Sequence, residues 1–195
     1  MAEISILVLA AGASSRMKDK AKQLLPWKNT TLLGHAIDQA RKVSDSVTVV
    51  IGANAETIKN IIPKKVESIY NPNWESGMGS SIAAGAHHIL EKNDFLDGIM
   101  IMLADQPLLD ANYLHQLMVS FEKDKSKIIT TSYGKKMGVP AIFPKAAFPE
   151  LLQLNLDVGA KYVIENQIEN CIAINPHGRE IDIDTLKDYN QLTDK

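Results

Sequence analysis

Residues 98–104 read Gly-Ile-Met-Ile-Met-Leu-Ala, with no polar side chain on either face that a strand would present. A strand apolar on both faces must be covered on both sides, as an interior strand of a parallel sheet is between helical layers. Four further runs fit the same sheet: Ile4–Ala10, Val47–Ile51 with its β-branched centre, the weaker 66–70, and 128–132. Helical patterns lie between them. Residues 32–43 align Leu32, Leu33, Ala36, Ile37 and Ala40 behind a Thr31 cap, and 56–62 stop at Pro63. Residues 80–90 follow a glycine-rich turn, and 111–121 can be capped by Asp110. Strands alternating with helices predict right-handed βαβ units, and so an α/β fold of three α/β/α layers around a mainly parallel, Rossmann-like sheet.

The last third changes character. Residues 137–143 look extended but are interrupted by Pro140, and Asp157 can cap a helix reaching about Gln167. Residues 171–175 and 180–183 read as strands before a terminal helix, a pattern expected of an appended lobe closing over the sheet edge. With no internal repeat, long linker or low-complexity tract, 195 residues that are 45% hydrophobic are expected to form one domain. Lys and Arg number 21 against 23 Asp and Glu, so no global field draws the chain to nucleic acid or to an anionic membrane. Any phosphate must therefore be bound by a local site. The one cysteine, Cys171, excludes an intramolecular disulfide and a cysteine-based zinc cluster, and an apolar strand makes it a packing residue. The N-terminal stretch has no basic segment and its apolar run is too short to span a bilayer, so a cytoplasmic location is expected.

The first strand runs into Leu9-Ala10-Ala11-Gly12-Ala13-Ser14-Ser15-Arg16-Met17, and Lys22-Gln23-Leu24-Leu25-Pro26 follows. Small residues let a backbone turn tightly and approach a ligand closely, and the freed amides, with the Ser14 and Ser15 hydroxyls, can donate to phosphate oxygens. Arg16 offers a planar fork and Lys22 a point charge, both suited to a polyphosphate. Neither Gly-x-Gly-x-x-Gly nor Gly-x-x-x-x-Gly-Lys-Ser/Thr is present, which weakens dinucleotide and P-loop readings. In Asn71-Pro72-Asn73-Trp74-Glu75-Ser76-Gly77-Met78-Gly79-Ser80-Ser81, the glycines permit unusual dihedrals and the serines sit at a helix N-terminus able to meet an anion, a base edge or a ribose. Asp105 directly follows the interior strand, where α/β folds bind ligands, and is the best Mg²⁺ ligand. Near the end, alternation places Asp182 and Asp184 on one face. Either can complete the metal site, and Asp184 or Thr185 can instead cap the terminal helix. His87 and His88 are adjacent on a helix and cannot share one face as a metal pair.

The first-loop segment resembles the signature of the MobA-like nucleotidyltransferases, Leu-Ala-Ala/Gly-Gly-x-Ser-x-Arg-Met-Gly followed by Lys-x-Leu-Leu-Pro, with Lys18 here in place of the last glycine. The resemblance implies a nucleotide-diphospho-sugar transferase type of fold, with Gly12, Ser14 and Arg16 around the triphosphate and Lys22 on its α-phosphate. The string from Asn71 to Ser81 is similar to that of the molybdenum cofactor cytidylyltransferases, which implies that Asn71, Gly77, Met78, Ser80 and Ser81 line the nucleotide site. Where guanylyltransferases of the family carry Gly-Gly, Ala11 narrows the space and favours a pyrimidine. Residues 138–143 and 156–161 resemble the family's pterin-contacting segments, which implies acceptor contacts from Gly138, Pro140, Asp157, Gly159 and Lys161. Val139 and Lys161 stand where the family has His and Arg, and Lys161 keeps the charge without bidentate reach. The implied substrates are CTP and a phosphorylated pterin cofactor, with Mg²⁺ as cofactor, transient contact with a molybdoenzyme or its chaperone, and no nucleic acid or membrane partner. Transfer to a sugar or alditol phosphate, and a non-enzymatic pterin-cofactor carrier, are the alternatives.

Overall fold

The computed structural model describes residues 2–14, 17, 21–155 and 158–193. Its strands are β1 (Ile4–Ala10), β2 (Pro26–Trp27), β3 (Thr30–Thr31), β4 (Val47–Ile51), β5 (Glu67–Tyr70), β6 (Gly98–Leu103), β7 (Ile128–Tyr133), β8 (Lys136–Pro144) and β9 (Cys171–Ile174). Its α-helices are α1 (Leu32–Arg41), α2 (Ala55–Lys59), α3 (Met78–Lys92), α4 (Ala111–Lys123), α5 (Phe148–Leu152), α6 (Ala160–Asn166) and α7 (Leu186–Thr193). Among the described residues seven strands form one sheet in the order β5-β4-β1-β6-β8-β7-β9. Only β8 runs against its neighbours β6 and β7. The short β2–β3 hairpin stands apart.

Period-two alternation splits the buried side chains into two cores, one on each side of the sheet. Ile4, Ile6 and Val8 of β1 with Met100 and Met102 of β6 face α1, α2 and α4. Leu7 and Leu9 with Ile99 and Ile101 face α3, α5 and α6. This is the expected three-layer sandwich, and it explains why 98–104 tolerates no polar residue. Thr31 and Asp110 cap α1 and α4 as anticipated, their side chains accepting from the Gly34 and Tyr113 amides at 3.0 Å. Among the described residues no helix is long and apolar enough to cross a membrane.

The last third departs from expectation in four places. β8 runs through Pro140 because its register with β7 shifts between Ile129 and Thr131, and at such an irregularity the missing proline N–H breaks no ladder bond. Helix α6 begins at Ala160 behind Gly159, and Asp157 lies outside the described residues. No strand forms at 180–183; the segment is irregular and is held by the Ile183 N–H, which donates to the Asp105 carbonyl at 2.9 Å. Finally, among the described residues β7, β8 and β9 continue the same sheet instead of forming a sheet of their own.

After β1 the chain turns through α1 to β4 and β5 on one side, then crosses back to β6 on the other. The loops leaving β1 and β6 therefore diverge, and a crevice opens at their carboxyl ends. Register fixes its width, because Leu9 pairs directly with Leu103.

Candidate active site

A cleft of about 570 Å³ occupies this crevice. One wall is the β1 loop, Leu9 to Ser14, with Met17, Lys22 and Gln23; the opposite wall carries Trp74, Glu75, Gly77, Met78 and Ser81. Leu103, Ala104, Asp105 and Asp184 close one end. The two sequence segments that carried the phosphate and nucleotide readings thus face each other, with both candidate metal carboxylates in the same cleft.

Charge concentrates at that end. The Lys22 Nζ donates to Asp105 Oδ2 at 2.6 Å and to Asp184 Oδ1 at 3.2 Å. Burial alone would lower the Lys22 pKa, but the two carboxylates outweigh it and hold the ammonium above the ordinary lysine value. The other Asp105 oxygen, Oδ1, is buried and has no hydrogen-bond partner among the described residues. A buried carboxylate oxygen left unmatched is costly unless a cation or donor arrives. Among the described residues no group of three or more His, Cys, Asp or Glu forms a ready-made metal cage. A site with few protein carboxylates suits Mg²⁺, which keeps waters and takes phosphate oxygens from its substrate.

Of the two C-terminal carboxylates, Asp184 reaches Lys22 and lines the cleft, whereas Asp182 accepts from Gln106 Nε2 at 2.8 Å. Thr185 takes the helix-capping role through a reciprocal pair: its amide donates to Asp188 Oδ2 at 2.8 Å and the Asp188 amide donates to Thr185 Oγ1 at 3.2 Å. Burial pushes the Asp182 carboxyl up, Gln106 opposes this, and the negative neighbours Asp105 and Asp184 add to it. Gln106 also donates to the Tyr133 hydroxyl at 2.5 Å, which in turn donates to the Val139 carbonyl at 2.5 Å. Burial, reinforced by Asp182, raises the Tyr133 phenol well above its ordinary value.

Several of these side chains have partners of their own within the protein. Asn71 is buried and braces the opposite wall, its Nδ2 donating to Ser80 Oγ at 2.9 Å and Ser81 Oγ at 3.0 Å. The Ser80 hydroxyl is spent on the Asn73 and Gly77 carbonyls. Ser81 lines the cleft and accepts from Asn71, so its proton is turned elsewhere. Gly77 needs its freedom, with φ at 107°, and a Cβ on Gly79 would come within 2.3 Å of the Val158 carbonyl oxygen. Ser14 sits in the left-handed region at φ 56° with its hydroxyl donated to Gln23 Oε1 at 3.1 Å, so that proton is not offered to a ligand. Ser15 and Arg16 lie outside the described residues.

The acceptor residues are less convergent. Gly138 and Pro140 lie within β8, with the Pro140 carbonyl accepting from Thr131 Oγ1 at 2.7 Å. Gly159 packs beside Met78 of the cleft wall. Lys161 is exposed and pairs with Glu165 of its own helix at 3.4 Å, away from the cleft lining. Gln23, which has no role in the sequence reading, lines the cleft, as do Trp74 and Glu75 from within the string that resembles the cytidylyltransferases. A polar residue between Lys22 and Leu24 was the available signal for Gln23.

A switch-point cleft in a Rossmann-like sheet, lined by a small-residue loop and closed by a lysine between two aspartates, is the kind of crevice in which α/β proteins bind phosphorylated ligands. Residues 6–171 match the model of the MobA-like NTP transferase domain, and the chain belongs to that family. It is similar to the nicotine blue oxidoreductase of Paenarthrobacter nicotinovorans, with 28% identity over 95% of this chain and 94% of that protein. Rv0371c of Mycobacterium tuberculosis H37Rv superposes with a TM-score of 0.81 at 25% identity, covering 100% of both chains. That protein has also been solved as a complex with manganese, with a TM-score of 0.77. A nucleotidyl transferase from Methanothermobacter thermautotroptrophicus shares the fold, with a TM-score of 0.83 at 19% identity over 98% of this chain and 96% of its own.

Proposed function

We infer that this chain, as one domain, transfers CMP from CTP to the terminal phosphate of a molybdopterin-type cofactor and releases pyrophosphate. The observation that carries the reading is the meeting of the β1 loop, Lys22, Asp105 and Asp184 in a single cleft. The triphosphate lies along residues 11–14, where a Cβ on Gly12 would meet nothing within 4 Å among the described residues, which fits a glycine kept for ligand approach rather than for packing. As the triphosphate enters, Lys22 exchanges its carboxylate partners for phosphate oxygens, with Arg16 adding a second cation. Asp105 and Asp184 would hold a Mg²⁺ ion, which when bound would supply charge neutralisation at the leaving pyrophosphate. An oxygen of the acceptor phosphate attacks the α-phosphorus in line; the new P–O bond forms as the bond to the bridging oxygen breaks, and that electron pair leaves with pyrophosphate. The attacking oxygen is already anionic, so no general base is needed, and the residues act by positioning and electrostatics.

Cytosine is favoured by Ala11 at the cleft wall and by the likeness of residues 71–81 to the cytidylyltransferases. The pterin acceptor rests on the likeness of 138–143 and 156–161 alone, and Val139 with Lys161 leaves room for a sugar or alditol phosphate. A second reading comes from the near full-length relative whose name is that of an oxidoreductase. The two separate cleanly in one experiment: pyrophosphate release with CTP, GTP, ATP and UTP over a panel of phosphorylated acceptors, beside NADH and NADPH oxidation with the same acceptors. CTP-dependent pyrophosphate release with the pterin cofactor is expected. Equal turnover of CTP and GTP defeats the base assignment, release with another acceptor redirects the acceptor assignment, and nicotinamide oxidation without pyrophosphate favours the second reading.

A further inference from the structure

Gln23 is only 5% exposed, yet it is the side chain that ties the β1 loop together. Its Nε2 donates to the Ala10 carbonyl at 3.1 Å and to the Gly12 carbonyl at 2.9 Å. Its Oε1 accepts the Ser14 hydroxyl at 3.1 Å, and Ser14 Oγ in turn accepts the Lys22 amide at 3.1 Å. One carboxamide therefore uses both donors and its acceptor on residues 10, 12 and 14. A trans peptide sets its C=O and the following N–H on opposite sides, so anchoring the Ala10 and Gly12 carbonyls turns the Ala11 and Ala13 amides away from Gln23. The Ala13 N–H has no backbone acceptor among the described residues. The same bonds hold Ser14 at φ 56°, a conformation that non-glycine residues keep only when their surroundings over-determine it. Strain held in place at the lip of a cleft is the arrangement expected of a loop shaped for a ligand.

We propose that Gln23 is a positioning residue for triphosphate binding: its carboxamide fixes the β1 loop with its amides presented to the phosphates and sets Lys22 beside them. Gln23 touches the phosphates only through the loop. The proposal rests on the triphosphate reading above and adds to it a residue that the reading does not require.

The test is titration calorimetry of CTP with Mg²⁺, and of cytidine, against wild type, Gln23→Met, Gln23→Glu and Ser14→Ala, with a melting curve for each. Gln23→Met keeps the volume and removes all three bonds, so CTP affinity should fall about tenfold or more. Cytidine affinity should fall far less, because the base also meets the wall that Asn71 braces independently of Gln23. Gln23→Glu should lose more, since a carboxylate would face two carbonyl oxygens, and Ser14→Ala should lose less in the same direction. A general loss of structure would weaken CTP and cytidine together and lower the melting temperature, and that result overturns the proposal. So does a Gln23→Met protein that binds CTP as tightly as wild type. If Gln23→Met does not fold, Gln23→Glu and Ser14→Ala decide by the same comparison. A wild-type chain that binds cytidine but gains nothing from the triphosphate contradicts the proposed function itself, a failure visible before any variant is made.

Discussion

Lys22 lies between two carboxylates at 2.6 and 3.2 Å, where a divalent ion and a triphosphate would otherwise balance charge. Removing it leaves Asp105 with an unmatched buried oxygen on both sides, and removing Asp105 leaves the cation without its shorter partner. Lys22→Ala and Asp105→Ala should each lower the rate of pyrophosphate release by about 10²–10³-fold, the scale of losing one preorganised group that stabilises developing charge. Both variants should keep the wild-type circular dichroism. The two C-terminal aspartates should separate in the same way. Asp184→Asn is expected to weaken Mn²⁺ binding in the presence of CTP, read by the paramagnetic resonance of free Mn²⁺. Asp182→Asn is expected to spare it, because Asn keeps the oxygen that accepts from Gln106. Equal losses would move Asp182 into the metal site.

At the scale of elements, the site depends on a small third core. Met17, Leu25, Trp27, Leu32 and Ile183 pack together under Tyr189 and Leu192 of α7, and the Tyr189 hydroxyl donates to the Pro26 carbonyl at 2.6 Å. This core delivers Asp184 to the cleft, since Ile183 is fully buried one residue before it. Ile183→Ala should cost about 2–5 kcal/mol in urea unfolding, and CTP turnover should fall even at temperatures where the protein stays folded. An unaffected turnover would show that α7 does not place Asp184. His35 of α1 lies beside Trp27 and meets the Pro107 carbonyl at 3.0 Å. Burial lowers its pKa below 6.5, with Lys28 adding to the effect. The folded state therefore favours neutral imidazole, and as pH falls below 6.5 the unfolded chain gains the proton first. Stability should decline on acidification from that point until the lower folded value is passed, and His35→Gln should flatten this part of the profile.

The same scale shows what the residues could tell in advance. The parallel strands were legible because burial on both faces leaves an unbroken apolar run, and the caps of α1 and α4 because Thr31 and Asp110 precede clear helical periodicity. The stretch 180–183 misled because alternation describes an extended segment as well as a strand. Ile183 is buried with no ladder partner among the described residues, and its two flanking aspartates meet different partners, Gln106 for Asp182 and Lys22 for Asp184. In the cleft, Lys22, Asp105 and Asp184 could be chosen by chemistry. Gln23 and Asn71 could not be given their supporting roles, because a carboxamide's role depends on which carbonyls and hydroxyls the fold brings to it. Lys161 was read from the family pattern, although its i,i+4 spacing from Glu165 on the expected helix already offered it a local partner.

In the molecule as a whole, strand order creates the site: the chain leaves β1 toward one edge and returns at β6, and the β1 loop and Asp105 meet because Leu9 and Leu103 are paired. A ligand that bridges both loops should stabilise the entire sheet. At 100 times its dissociation constant, CTP with Mg²⁺ should add about 2.7 kcal/mol to unfolding, whereas CTP without the metal should add much less. The most direct measurement is a crystal structure with CTP and Mn²⁺, located by anomalous scattering. If strand order creates the site, one manganese peak appears in direct coordination with Asp105 and with triphosphate oxygens that also face Gly12 and Lys22. A peak away from Asp105, or a triphosphate bound elsewhere while Lys22 stays on its two carboxylates, would contradict it.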